Sequence, residues 1–181
     1  MHWICRFCTA SLASSFALIT GGARSGKSAY AERLAAESGA PVLYVATAEA
    51  GDEEMRARIE AHQAARPASW QTIEEPQAVS IRLKAHYRPG MLVLLDCITL
   101  LVSNLLLAGR PVQPEIEALV AWQQSAGSTL IAVTNEVGLG IVPDNELARR
   151  YRDALGLTNQ TLASAATHVI LMVAGLPVTI K

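Results

Sequence analysis

A phosphate-binding loop between a strand and a helix is the feature that most constrains the fold of this chain. The pattern Gly-x4-Gly-Lys-Ser ends at Ser28 and follows the apolar run Phe16–Ile19. In such a loop, backbone N–H groups converge on phosphates at a helix N-terminus, the lysine reaches the β and γ oxygens, and the hydroxyl ligates magnesium. The sequence therefore predicts a Mg²⁺-dependent site for a nucleoside triphosphate at Gly21, Gly22, Ala23, Arg24, Ser25, Gly26, Lys27 and Ser28.

Short aliphatic runs recur along the chain, and the stretches between them are long enough for helices. They are Val42–Ala46, Met91–Leu95, Thr129–Val133 and Val169–Val173. This alternation is typical of a wound, mainly parallel sheet. We expect an α/β P-loop NTPase fold of the RecA-like type, in three layers with a mainly parallel central sheet. The segment from Gly109 to Pro114 is predicted to be a loop within it.

Length and composition favour one nucleotide-binding catalytic domain at residues 16–181, with residues 1–15 as an N-terminal extension of low order. Of the 181 residues, 51% are hydrophobic and only 5% aromatic, which suits an aliphatic-rich sheet. Cys5 and Cys8 lack a second pair at zinc spacing, so we interpret that pair as incidental.

The charge balance points away from nucleic acid and anionic lipid as partners. The formal net charge is −1, from 15 basic and 16 acidic residues, so small molecules are the expected partners. No apolar run approaches the roughly 18 residues of a membrane span, and the first residues do not resemble a secretory signal. We expect the protein to remain in the cytoplasm.

Asp96 ends the aliphatic run that begins at Met91. A P-loop protein places the carboxylate that holds the magnesium shell at such a strand end. Asp96 is also placed to cap a helix over Leu100–Leu107. The two interpretations are compatible.

A helical pattern over residues 52–65 places Met55, Ile59 and His62 on one face. A histidine at such a position is ordinarily a satisfied core or boundary residue. Here, however, Arg58 precedes it by four residues and Arg66 follows it by four. Two guanidinium groups attract phosphate and disfavour protonation of an imidazole, so the pattern also fits a neutral, nucleophilic His62.

The segment from Thr134 to Pro143 leaves a strand with polar side chains and two glycines. In wound sheets such a strand end is a binding edge, although it also serves as a simple connector. On the helix that follows, we expect Arg149, Arg152 and Asp153 to form a solvated, ion-paired face.

Together these motifs resemble the bifunctional adenosylcobinamide kinase/adenosylcobinamide-phosphate guanylyltransferase family of cobalamin biosynthesis. The resemblance covers Phe16–Lys181. It rests on TGGARSGKS at Thr20–Ser28, RIEAHQAARP at Arg58–Pro67 with Trp70, DCIT at Asp96–Thr99, TNEVGLGIVP at Thr134–Pro143, and the segment Asn145–Gln160. It implies that the enzyme phosphorylates adenosylcobinamide with ATP or GTP. It then transfers GMP from GTP to adenosylcobinamide phosphate, giving adenosylcobinamide-GDP and pyrophosphate.

The resemblance also assigns roles to residues. His62 is implied to be the guanylylated nucleophile, with Lys27 and Asp96 as the other catalytic residues and Ser28 and Asp96 at the metal. The nucleotide site is extended, by similarity, to Val45, Ala46, Thr47, Gln63, Ala64, Ala65, Arg66, Glu74 and Asp96. A homo-oligomer, as a trimer, is implied as well.

Two departures and two alternatives stand beside this resemblance. Ala61 occupies a position where some relatives have a second histidine, and Asp96 one where some have glutamate. A monofunctional cobinamide kinase is disfavoured by the presence of His62. A nucleotide-responsive binding module would need a partner-facing patch that the sequence does not indicate.

Overall fold

A seven-stranded sheet forms the centre of the fold in the computed structural model, which describes residues 14–49, 51 and 53–181; within residues 53–65 it leaves the side chains of 54, 55, 58, 61, 62 and 65 undescribed. The strand order is β3-β2-β4-β5-β1-β6-β7. Each neighbouring pair is parallel except β6 and β7. The strands are β1 Phe16–Gly21, β2 Val42–Ala46, β3 Gln71–Glu74, β4 Leu92–Asp96, β5 Thr129–Val133, β6 His168–Val173 and β7 Leu176–Thr179.

Helices cover both faces of this sheet. They are α1 Lys27–Glu37, α2 Glu53–Ala65, α3 Val79–His86, α4 Ile98–Leu107, α5 Val112–Ala126 and α6 Glu146–Ala165. Successive residues of a strand point to opposite faces: Phe16 and Leu18 pack in the core that contains α3 to α6, whereas Ala17 and Ile19 pack against α1. The predicted three-layer α/β fold is confirmed.

Three local features differ from or add to the sequence prediction. The helix α5 begins at Val112, so the prediction of a loop as far as Pro114 is wrong. Pro114 lies in the first turn of this helix. The first N–H groups of a helix have no intrahelical acceptor, so a proline there loses no hydrogen bond. The short strand β3 and the antiparallel edge strand β7 were not anticipated.

The extension predicted at residues 1–15 lies almost entirely outside the described residues, as do Cys5 and Cys8. Within the described part of the chain, no helix combines the length and the hydropathy that crossing a bilayer requires.

The carboxyl ends of the parallel strands meet at one edge of the sheet. Ala46 is in register with Asp96, and Asp96 with Val133. The phosphate loop leaves β1 at the same edge, where Thr134 donates a backbone hydrogen bond to Ile19. This is the edge at which open α/β sheets bind ligands, so the register itself brings the predicted site residues together.

Candidate active site

The phosphate loop joins β1 to α1 through backbone conformations that favour glycine. Gly21 has a φ of 146° and Gly26, the N-cap of α1, a φ of 92°. A Cβ at Gly21 would collide with the carbonyl oxygen of Met172 on β6 and come within 2.9 Å of Ser25 Oγ. Gly22, Ala23 and Arg24 are exposed. The loop thus presents open backbone at a helix N-terminus, the geometry that receives phosphate.

Lys27 is buried at the start of α1, and its ammonium donates a 2.6 Å hydrogen bond to the carbonyl oxygen of Gly22. Burial lowers the pKa of Lys27, while the nearby Cys97 and Asp96 act in the opposite direction. A charge that the protein only partly compensates is poised to pair with an anion. The hydrogen bond to Gly22 holds this ammonium group against the loop that is predicted to bind the triphosphate.

Asp96 ends β4 and accepts two hydrogen bonds. The Tyr44 hydroxyl donates to Oδ2 at 2.9 Å, and Ser28 Oγ donates to Oδ1 at 3.4 Å. The helix α4 begins at Ile98 with Cys97 as its N-cap, so the alternative of Asp96 as a helix cap is wrong. The helix begins two residues before the predicted Leu100, and the Asp96 carboxylate bonds to Tyr44 and Ser28 instead of capping it.

The donor set fits a magnesium ion held mainly by a nucleotide. A hydroxyl at Ser28 and a carboxylate at Asp96 are hard oxygen ligands, which Mg²⁺ prefers, and Mg²⁺ takes most of its remaining ligands from phosphate and water. Among the described side chains there is no group of three or more His, Cys, Asp and Glu residues that would hold a metal without a substrate.

A cavity of about 270 Å³ opens beside these residues. We call it the main cavity because it borders the phosphate loop and Asp96, not because of its size. It is lined by Ser28, Tyr44, Ala46, Ala48, Ile59, Arg66, Glu74, Asp96, Cys97, Thr99, Leu100 and Asn135. Its wall thus combines the end of the phosphate loop, the ends of three strands, the start of α4 and one residue of α2. An acceptor molecule entering it would reach Ser28 and Asp96 together.

Asn135 brings the segment after β5 into this wall. Its Nδ2 donates to Thr99 Oγ1 at 3.3 Å, while its buried Oδ1 has no hydrogen-bond partner among the described residues. Asn159 supports the segment from α6: it accepts a hydrogen bond from Thr134 at 2.7 Å and donates to the carbonyl oxygen of Asn135 at 2.9 Å. The structure thus places part of the Thr134–Pro143 segment at the binding edge.

Arg66 lies between the main cavity and a neighbouring one. Its guanidinium carbon is 3.8 Å from the centre of the Tyr44 ring, and its buried Nε has no hydrogen-bond partner in the part of the chain that the structure describes. The neighbouring side cavity, of about 400 Å³, is lined by Gln63, Arg66, Pro67, Ala68, Trp70, Thr72 and Glu74. Gln63 Nε2 donates to Glu74 Oε1 at 2.7 Å across it.

The side chain of His62 lies outside the described residues, as do those of Arg58 and Ala65. The backbone at position 62 belongs to α2, three residues after Ile59 in the main cavity and one before Gln63 in the side cavity. Position 62 therefore lies in sequence between Ile59, which lines the main cavity, and Gln63, which lines the side cavity.

The remaining predicted nucleotide residues are distributed over this edge. Ala46 lines the main cavity and Ala64 is exposed on α2. The Val45 side chain packs in the core on the opposite face of the sheet. Thr47 is fully buried, where its hydroxyl donates to the carbonyl oxygen of Cys97 and accepts from the Cys97 N–H. The structure therefore keeps the Val45 side chain away from the cavity.

The helix surface predicted at residues 149–153 is only partly ion-paired. Arg152 pairs with its neighbour Asp153 at 3.3 Å, whereas Arg149 donates to the carbonyl oxygens of Pro143 and Asp144. Arg149 thereby fastens the end of the segment that carries Asn135.

A family model described as cobinamide kinase / cobinamide phosphate guanyltransferase matches residues 17–180. The chain belongs to this family. The bifunctional adenosylcobalamin biosynthesis protein CobP of Pseudomonas aeruginosa is 50% identical over 166 residues, covering 91% of this chain and 96% of the relative. The bifunctional adenosylcobalamin biosynthesis protein CobU of Escherichia coli is 44% identical over 179 residues, covering 91% and 98%.

Solved structures of other proteins share the fold of this member of the cobinamide kinase family. The flagellar accessory protein FlaH from Methanocaldococcus jannaschii superposes with a TM-score of 0.60 at 16% identity, covering 97% of this chain and 82% of that one. The RadB recombinase superposes with a TM-score of 0.52 at 16% identity, covering 88% and 74%. At these identities the likeness concerns the fold, and the predicted RecA-like architecture is confirmed.

Sequence reasoning assigned no individual site role to several residues that line the main cavity of this cobinamide kinase family member, among them Tyr44, Cys97 and Thr99. Tyr44 stands inside an aliphatic strand, where an aromatic residue is ordinary core, and Thr99 and Cys97 stand at a helix start. The available signal for Tyr44 was its distance from the strand end: it lies two residues before Ala46, which is in register with Asp96.

Proposed function

We propose that this chain phosphorylates adenosylcobinamide on its aminopropanol hydroxyl with ATP or GTP, and then transfers GMP from GTP to the new phosphate through a guanylyl intermediate on His62. The observation that carries the proposal is a single cavity at the carboxyl edge of the sheet, bordered by residues of the predicted phosphate site and by residues on either side of position 62 in sequence. The phosphate loop and Asp96 border the same cavity as Ile59 and Arg66, which flank position 62 in sequence.

In the kinase step, the phosphate loop and Lys27 hold the β and γ phosphates. The acceptor hydroxyl in the main cavity attacks the γ-phosphorus: a new O–P bond forms, the bond to the β-phosphate oxygen breaks, and the nucleoside diphosphate leaves. Asp96 orients the acceptor or takes up its proton. Bound at Ser28 and Asp96, Mg²⁺ would offset the negative charge of the phosphates.

In the guanylyl step, a neutral ring nitrogen of His62 attacks the α-phosphorus of GTP. An N–P bond forms, the bond from the α-phosphorus to the bridging oxygen breaks, and pyrophosphate leaves. A phosphate oxygen of adenosylcobinamide phosphate then displaces the imidazole, giving adenosylcobinamide-GDP. Arg66 provides positive charge between the two cavities, and Glu74 can accept hydrogen bonds from the N1–H and N2–H groups of guanine.

Incubation with GTP labelled at the α-phosphate tests this mechanism. The wild-type protein should retain acid-labile label and release it as adenosylcobinamide-GDP when adenosylcobinamide phosphate is added. His62→Ala should retain none, whereas His86→Ala, which changes a histidine on the distant helix α3, should label normally. Turnover of adenosylcobinamide phosphate by wild-type protein that never acquires label would rule out the covalent route.

We also propose that the protein forms a homo-oligomer, specifically a trimer. Leu139 and Ile141, on the segment that carries Asn135, are 86% and 97% exposed. Large apolar side chains this exposed and this near in sequence are typical of protein contact surfaces. Light scattering coupled to gel filtration should give three times the chain mass, and Ile141→Glu should lower it. A monomeric wild-type protein would contradict the proposal.

A further inference from the structure

The position of Tyr44 in the sheet aims its side chain at Asp96. Tyr44 is in register with Leu94, and Ala46 with Asp96, so Tyr44 and Asp96 are diagonal neighbours on the same face of β2 and β4. Diagonal neighbours in a sheet lie within reach of a long aromatic side chain. The phenol accordingly spans the gap, and its hydroxyl donates to Asp96 Oδ2 at 2.9 Å.

This hydrogen bond divides the two carboxylate oxygens of Asp96 between different neighbours. Oδ2 is held by Tyr44, whereas Oδ1 faces Ser28 Oγ at 3.4 Å. A carboxylate on a strand end rotates about its side-chain torsions unless one oxygen is fixed. The Tyr44 hydroxyl therefore fixes the plane of the Asp96 carboxylate and leaves the second oxygen turned toward Ser28.

The ring of Tyr44 is itself held from two directions. Arg66 lies 3.8 Å from the ring centre, and Trp70 stacks on it with 6.1 Å between centroids and 26° between planes. A phenol is protonated at neutral pH, so its O–H is available to donate. An immobilised, protonated phenol is a dependable donor to a carboxylate.

We propose that Tyr44 is a positioning residue of the kinase step, whose hydroxyl fixes the Asp96 carboxylate in the orientation that receives the nucleotide-bound magnesium ion. The inference rests on the proposed function for the identity of the reaction. It concerns a residue to which the sequence assigned no role. The phenol does not touch a reacting atom, because it acts through Asp96.

Magnesium-dependent binding of a non-hydrolysable, fluorescently labelled GTP analogue tests the inference without turnover. Tyr44→Phe should raise the Mg²⁺ concentration for half-maximal binding about tenfold, because it removes one hydrogen bond to a charged group. The kcat of the kinase reaction should fall by a similar factor. Tyr87→Phe is the matched control, because it removes a phenol hydroxyl from a ring packed on Trp122 in the opposite helical layer. It should change neither quantity by more than about twofold.

A double-mutant cycle separates positioning from general support of the core. In an Asp96→Asn background, Tyr44→Phe should cause no further loss of Mg²⁺ response, because the group through which the phenol acts is already altered. Additive losses, or an unchanged Mg²⁺ response in folded Tyr44→Phe, would overturn the inference. If thermal unfolding shows that Tyr44→Phe is not folded, Tyr44→Met is measured under the same criteria.

The wild-type protein is assayed in parallel for phosphorylation of adenosylcobinamide. Absence of that reaction would overturn the proposed function, and the Mg²⁺ response of analogue binding would still decide whether Tyr44 positions Asp96. The two failures are therefore distinguishable.

Discussion

The ammonium group of Lys27 donates to the carbonyl oxygen of Gly22, five residues earlier, at 2.6 Å. A bound triphosphate would offer this ammonium stronger, charged acceptors. Replacing Lys27 by Met should weaken nucleotide binding and slow both half-reactions by roughly 100-fold or more, on the scale of removing one charged stabilising group. Fluorescent nucleotide titration and product assays measure the two effects, and unaltered binding by Lys27→Met would contradict the prediction.

The same lysine predicts a pH dependence. Because burial lowers the pKa of Lys27, its positive charge is present at low pH and is lost at a lower pH than that of an exposed lysine. Nucleotide affinity should therefore decline on the alkaline side. Arginine cannot deprotonate in this range, so Lys27→Arg should abolish the decline even if its affinity is lower throughout. Parallel profiles for the two proteins would rule out Lys27 as the cause.

Gly21→Ala should destabilise the fold by about 2–4 kcal/mol, since the new methyl group meets the Met172 carbonyl and the backbone conformation is strained. Gly39→Ala is the control: it also has a positive φ, of 68°, but an added methyl group meets nothing within 4 Å. We expect a loss of about 1 kcal/mol there. Urea unfolding compares them, and equal losses would show that the contact with β6 is unimportant.

Asn159→Ala should cost about 2–3 kcal/mol, because it leaves the Thr134 hydroxyl and the Asn135 carbonyl oxygen without their partner. The neighbouring Gln160 is exposed, and Gln160→Ala should stay within about 0.5 kcal/mol of wild type. Chemical denaturation measures both. A loss for Asn159→Ala no larger than that for Gln160→Ala would mean that this network contributes nothing to stability.

Cys97 should resist alkylation although it borders the main cavity. Burial, and secondarily the charge of Asp96, raises the pKa of Cys97 to about 12, and the thiolate is the reactive form. In a Cys5→Ser, Cys8→Ser background at pH 8, iodoacetamide should label the unfolded chain at least 100-fold faster than the folded one. Labelling of the folded protein at the rate of a free thiol would contradict this assignment.

The sequence predicts the buried half of this fold better than its margins. The strands β2 and β5 match the predicted runs, because every residue in them is buried and apolar runs report burial. The strand β3 has one buried residue, Ile73, and β7 has none. Neither forms a run of buried apolar residues, so both follow only from pairing with a neighbour.

For the site, the sequence predicts the residues that belong to a local motif. Lys27 and Ser28 are identifiable from spacing alone, and Asp96 from its place at a strand end. The contact between Tyr44 and Asp96 joins residues 52 positions apart, and only the strand register brings them together. Asn135 could be predicted to lie at the edge, but its contact with Thr99 depends on how α4 packs.

The loop that begins after β1 is braced by the hairpin of β6 and β7: Gly175 donates a backbone hydrogen bond to the carbonyl oxygen of Ser25 at 3.1 Å, and Met172 closes against Gly21. In the sequence, Ser25 and Gly175 are some 150 residues apart, so the ribosome synthesises the loop long before the hairpin. Lys27 and Ser28 are thus synthesised early but acquire their full support only when β6 and β7 have emerged, so a nascent chain interrupted in α6 would lack a complete nucleotide site.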